Sequence, residues 1–115
     1  MGIIPGAGGT QTLPRVMGLS RCLDMLLTGR RLNADEARRY GLVTRVVARQ
    51  ELLPLVDEVA LKIAAFEPDA VRKAKEAVLR GSDLSLRDGL HLEHKLASEL
   101  AAARREKRRI ITGED

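Results

Sequence analysis

With 115 residues, one Phe, one Tyr, no Trp and 44% apolar content carried mainly by Leu, Ala and Val, the chain can form one small domain or part of a larger one. Its 20 Lys+Arg against 16 Asp+Glu leave a formal charge of +4, a modest excess with almost no aromatic rings to stack bases, which argues against a nucleic-acid partner. A single Cys22 excludes an internal disulfide, and without a signal peptide, Arg-rich transit sequence or long apolar run the expectation is a cytoplasmic protein with no membrane partner.

The chain opens on Ile3-Ile4-Pro5-Gly6-Ala7-Gly8-Gly9-Thr10-Gln11-Thr12-Leu13-Pro14. Glycines gathered at a helix start, with Pro5 fixing the approach, let backbone amides come very close to something small and polar. The same residues also suit a plain tight turn into a helix. Two phosphate-binding motifs fail here. Gln11 stands where G-x-G-x-x-G needs its third glycine, and no G-K-[ST] follows.

Residues 10–16 read as a short helix closed by Gly18, with Pro14 tolerable only if the helix bends or ends early. Ser20 reads as the N-cap of a second helix, with Leu19, Leu23, Leu26 and Leu27 as its apolar stripe and Gly29 as its left-handed end. Cys22 lies among these apolar neighbours with no candidate base nearby, so a buried thiol is expected rather than a nucleophile. Arg30-Arg31-Leu32 forms a link, after which Asn33-Ala34-Asp35-Glu36 has capping-box spacing for a helix of barely two turns ended by Gly41. Leu42-Val43-Thr44-Arg45-Val46-Val47 is the only convincing strand, with Gly2-Ile3-Ile4 the one other candidate. A strand must pair, so this segment is expected to belong to a sheet whose other strands lie elsewhere.

Over residues 50–66, Leu52, Leu53, Val56, Val59, Ala60 and Ile63 recur at three and four, the pattern of an amphipathic helix with Pro54 in its first turn. Glu67-Pro68-Asp69 breaks it, and Pro68 or Asp69 starts the next helix, with Val71, Ala74 and Val78 on one face and Gly81 after it. Ser82, Asp83 and Ser85 are alternative caps for a long last helix carrying Leu92, Leu96, Leu100 and Ala103, with Gly89 weakening its first turns. His91, His94 and Glu99 could share a face. Zn²⁺ needs three or four convergent ligands, however, and no Cys or carboxylate cluster completes the set, so no metal is expected. The run Arg104-Arg105-Glu106-Lys107-Arg108-Arg109 is either a solvated helix end whose cations complement the helix dipole or an anion site. Ala-rich faces suit packing between subunits as well as within one.

Three strings together resemble the enoyl-CoA hydratase/isomerase (crotonase) family: Ile4-Pro5-Gly6-Ala7-Gly8-Gly9-Thr10-Gln11-x-Leu13-Pro14-Arg15, then Leu27-Thr28-Gly29-Arg30-Arg31-Leu32-x-Ala34-x-Glu36-Ala37, then Tyr40-Gly41-Leu42-Val43. The likeness runs from Gly2 to about Gly89. It implies an α+β, predominantly helical fold: residues 1–48 as the C-terminal end of a ββα spiral, and residues 49–115 as the helical region that assembles trimers, often paired into hexamers. It also implies an acyl-CoA thioester as substrate, with coenzyme A part of that substrate and no separate cofactor.

In hydratases of this family two glutamates hold a water for addition to a 2-enoyl-CoA, while a separate pair of backbone amides polarises the thioester carbonyl. By resemblance Gly6 supplies an amide that helps hold the catalytic water, Pro5 borders the substrate, and Gly8-Gly9-Thr10 form the packing turn behind. Both glutamates and both oxyanion amides lie upstream in the family, before the segment that opens this chain. The expectation is therefore a chain inactive alone, working with a separate N-terminal half, or else a non-catalytic oligomerisation or CoA-binding module. At the other end, Glu106-Lys107-Arg108 can be laid on the family's closing Glu-Lys-Arg, making Lys107 a CoA-phosphate contact. Alternatively Thr112-Gly113-Glu114-Asp115 matches the small-acidic loop before the family's final helix, and Lys107 then has no such role.

Overall fold

Glycines decide where the first helices start and stop. The computed structural model describes residues 2–113, which divide into two compact units between Leu52 and Leu53. In the first unit, α1 (Gly9–Met17) begins at Gly8, held left-handed at φ 91°, a conformation that costs an L residue with a Cβ roughly 1–2 kcal/mol. The helix runs through Pro14 rather than ending before it. The ladder bond Pro14 forfeits is the one to Thr10 in the first turn, and Gly18 N still reaches Pro14 O at 3.0 Å.

Ser20 does not cap α2 (Leu19–Thr28). Gly18 takes that position at φ 85°, because the one-residue corner between the two helices needs a backbone angle that serine avoids. α1 and α2 pack on each other around Met17 and Cys22, each 3% exposed, and Gly29 ends α2 left-handed. α3 (Ala34–Arg39) carries the expected capping box: Asn33 Oδ1 accepts from Glu36 N at 2.9 Å and Glu36 Oε2 accepts from Asn33 N at 3.1 Å. After it Gly41, at φ 80°, lies against α1 so closely that a Cβ would sit 3.7 Å from Val16 O.

Residues 42–47 do not form the expected strand, and no strand exists among the described residues. The β-branched run lacks a partner: Gly2-Ile3-Ile4 is irregular too, and a lone strand has nowhere to place its backbone bonds. The fold as described is predominantly helical.

A 3₁₀ turn at Arg49–Glu51 leads into α4 (Leu52–Ala64). In the second unit, α5 (Pro68–Gly81) starts with Pro68 in its first turn, and the Glu67 carboxylate accepts from Ala70 N at 2.8 Å. Of the three candidate caps for α6 (Leu86–Thr112), Ser85 is the one used, its Oγ accepting from Asp88 N at 3.2 Å. Gly89 is less a weakness than a contact. A Cβ on it would lie 3.5 Å from Gly81 O, an ordinary van der Waals distance, so Gly89 stands where α6 meets the end of α5.

Further along this pair, Leu96 is buried and Lys73 Nζ donates to Glu99 Oε2 at 2.6 Å. That bond and the same ammonium charge hold the Glu99 carboxyl below its ordinary range, as Arg72 does for Asp69. A depressed folded-state pKa adds stability above the ordinary carboxylate range that is lost as pH falls through the lower folded-state value. Unfolding of Lys73→Met by urea, at neutral pH and again in acid, is therefore expected to show a shallower loss of stability with acidification than the parent chain.

The buried apolar set among the described residues is small: Met17, Cys22 and Leu96. The apolar stripe of α4 is left open, with Leu53 72% and Leu52 52% exposed. No described helix is long and apolar enough to cross a membrane.

Candidate functional site

Gly6 stands in the turn immediately before α1, exposed to solvent, and its amide and that of Ala7 donate to no acceptor among the described residues. Unpaired amides at the positive end of a helix are a donor set for a small polar or anionic group. Pro5 sits directly behind. A Cβ added to Gly9 would come 3.2 Å from the Pro5 Cβ, tighter than nine in ten real contacts, so the absence of a side chain at Gly9 lets the proline ring lie on the helix start. Gly8-Gly9 thus makes the packing turn that the sequence motif implied. Gly9→Ala should displace Pro5 and move the Gly6 amide resonance with little loss of stability, whereas Gly8→Ala, at φ 91°, should cost about 1 kcal/mol in thermal unfolding.

Pro5 and Ile3 form one side of an open groove of about 990 Å³. The rest of its lining is the last turn of α2 and the link beyond it, Met25, Leu26 and Leu27 through to Arg31 and Leu32. The groove is apolar with arginine at its edge, and no carboxylate is among the residues lining it.

The link in that lining is fixed by contacts that sequence reasoning passed over. Arg30 Nε donates to Asp24 Oδ2 at 3.0 Å, its two terminal nitrogens both lie 3.0 Å from Glu36 Oε1, and Nη2 donates to the Tyr40 hydroxyl at 3.2 Å. The Arg21 guanidinium lies over the Tyr40 ring, 4.6 Å from its centroid. The Tyr40 hydrogen bond, then the Glu36 charge and the Asp24 hydrogen bond, raise the Arg30 pKa above its ordinary value against the opposing effect of burial. The signal was present as Thr28-Gly29-Arg30 with Glu36 and Tyr40 downstream. Spacing alone does not reveal that one guanidinium meets all of these groups.

Lys107 is far along α6 and exposed, close enough to Asp69 for its charge to help lower that carboxyl. It lies inside a continuous helix that ends at Gly113, φ 65°, where the second of the two C-terminal readings places a loop; Glu114 and Asp115 lie outside the described residues. His91 and His94 are exposed, and Glu99 is engaged with Lys73. No group of three potential metal ligands occurs among the described residues. The Cys22 thiol is buried between α1 and α2, away from solvent.

A glycine-built helix start with free amides, a proline locked against it and an apolar groove alongside define part of a site for a small polar group attached to an apolar body. The sequence profile of the enoyl-CoA hydratase/isomerase family matches residues 1–112, and the chain belongs to that family. It is 46% identical over 107 residues to a Rhizobium meliloti (strain 1021) protein named "Probable enoyl-CoA hydratase", covering 93% of this chain and 42% of that one. It is 36% identical to the short-chain-enoyl-CoA hydratase of Clostridioides difficile, across 97% of this chain and 72% of that one. Among solved structures, the enoyl-CoA hydratase from Bacillus anthracis superposes with a TM-score of 0.82 at 42% identity, over 94% of this chain and 45% of that one. A Thermobifida fusca YX relative solved in complex with acetoacetyl-CoA superposes with a TM-score of 0.83 at 31% identity, over 89% of this chain and 40% of that one. The chain spans about two fifths of the length of the first curated relatives it matches.

Proposed function

We propose that these residues supply the C-terminal part of an acyl-CoA site that hydrates 2-enoyl-CoA thioesters, in fatty-acid or related acyl-CoA catabolism in the cytoplasm. The Gly6 amide helps hold the water to be added, and Pro5 with the rest of the groove lining borders the acyl group. As hydroxide adds at C3, negative charge grows on the thioester oxygen, one carboxylate takes a proton from the water and a carboxylic acid returns one to the substrate. Those acids and the oxyanion amides come, on this reading, from outside these 115 residues. The reading rests on the unpaired Gly6 amide beside a groove with no carboxylate among its lining residues.

No cofactor is required beyond the coenzyme A carried by the substrate, and the assembled form is a homotrimer or hexamer. Lys107 is retained as a CoA-phosphate contact only under the first C-terminal reading. The test is twofold: crotonyl-CoA hydration by these residues alone, and again after mixing with a polypeptide carrying the upstream half of a relative. Activity only in the mixture supports the reading.

A second reading is supported by the exposed apolar faces of α4 to α6: a helical oligomerisation or CoA-binding module without chemistry. A well-folded trimer that binds CoA and stays inactive with every upstream half would favour it.

A further inference from the structure

We infer that Arg30 is a positioning residue for the groove, clamping its lining segment of residues 28–32 through Asp24, Glu36 and Tyr40. The inference rests on the reading of the groove as an acyl-thioester site. Thr28, Gly29, Arg30, Arg31 and Leu32 all line the groove, yet no regular secondary structure holds residues 29–33 in place. A segment of that kind is set by whatever side chains cross it. Here one guanidinium reaches back to α2 at Asp24 and forward to Glu36 of α3 and to Tyr40 just beyond it, spanning the segment from both ends.

The planar fork matters because several acceptors in fixed directions are met at once, which an ammonium on a flexible stem cannot reproduce. Glu36 has a divided role: Oε1 takes the two arginine nitrogens, and Oε2 takes the Asn33 amide that closes the capping box. The clamp and the start of α3 therefore share one carboxylate, so the position of that segment is tied to the helix that follows it. Thr28 adds a local brace, its hydroxyl donating to Asp24 O at 2.6 Å and accepting from Arg30 N at 3.3 Å.

The experiment compares the 115-residue chain with Arg30→Gln, Arg30→Lys and Glu36→Gln, and with Arg38→Gln as a control on the same short helix. The Glu36→Gln variant keeps the backbone amide bonded to Asn33 Oδ1 and a side-chain oxygen able to accept from Asn33 N, while losing the charge that holds Arg30. Helix content is read by circular dichroism, backbone amide exchange residue by residue, and affinity with crotonyl-CoA as the probe. At parental helix content, Arg30→Gln should speed exchange across residues 28–33 and weaken crotonyl-CoA binding, each by roughly threefold to tenfold. Arg30→Lys should recover part of both, Glu36→Gln should follow Arg30→Gln, and Arg38→Gln should change neither.

Unchanged exchange at residues 28–33 in both Arg30→Gln and Glu36→Gln overturns the clamp. Faster exchange there with unchanged crotonyl-CoA affinity overturns the positioning role. If the parent chain does not bind crotonyl-CoA at all, the acyl-thioester reading fails separately, and the exchange comparison alone sustains or overturns the hold of Arg30 on that segment.

Discussion

Given crotonyl-CoA and nothing else, these 115 residues are expected to show hydration at least about 10⁴-fold slower than a whole enzyme of the family, measured as the fall in ultraviolet absorbance of the conjugated thioester. The magnitude follows from what the groove contains. General acid–base catalysis contributes about 10²–10⁴ and each oxyanion donor about 10²–10³, and the residues lining the groove include no carboxylate to supply the first. A turnover within tenfold of a whole relative would end the account. If an upstream half restores activity, the contribution of Gly6 becomes measurable. Gly6→Pro deletes the amide donor and should lower kcat by roughly 10²-fold. Gly6→Ala keeps the amide, and its Cβ has room, the nearest atom being Ile4 O at 4.0 Å, so it should retain most of the rate. Equal losses in the two variants would show that shape at Gly6, rather than its N–H, is what the site uses.

Much of the local structure was legible because it depends on chemistry confined to a few neighbouring residues. The capping box at Asn33 and Glu36, the glycine ends at Gly29 and Gly41, and Pro68 in the first turn of α5 are each fixed within about one helical turn, and each is found as read. The misreadings come from features decided at a distance. Ser20 has the right chemistry for a cap, but the corner at Gly18 required a positive φ, and that constraint comes from how α1 and α2 pack. Residues 42–47 have strand composition, yet a strand exists only where another offers its backbone. Gly89 reads as a weak spot until Gly81 is seen to face it.

The candidate site divides the same way. The turn at Gly8 and Gly9 was legible because its motif is contiguous, and the glycine at position 9 has a single evident use once Pro5 is seen against it. Arg30 was passed over because its partners at Asp24, Glu36 and Tyr40 are spread over α2, α3 and the residue that follows α3. A resemblance string marks such residues as belonging together without saying what joins them.

The second large effect concerns assembly. Isolated in solution, the chain is expected to be self-associated at micromolar concentration, with a weight-average mass by light scattering of at least three times its own 12.6 kDa. Folding buries almost nothing fully, since only Met17, Cys22 and Leu96 are sequestered among the described residues, and a core that small cannot offset the chain entropy lost by ordering six helices. Meanwhile α4 exposes Leu52, Leu53, Val56 and Ile63, each at least 49% accessible, along the side that its amphipathic pattern marks for burial. Removing such side chains from water is worth about 1.5–3 kcal/mol each when burial is complete, so even partial coverage by a second copy stabilises the fold more than its own core does. Leu53→Lys with Val56→Lys should therefore shift the distribution toward monomer and lower the helix content of that monomer, because association and folding draw on the same surface. A double variant that becomes monomeric with its helix content and melting temperature intact would show that the three-residue core suffices and that the α4 stripe serves something other than self-association.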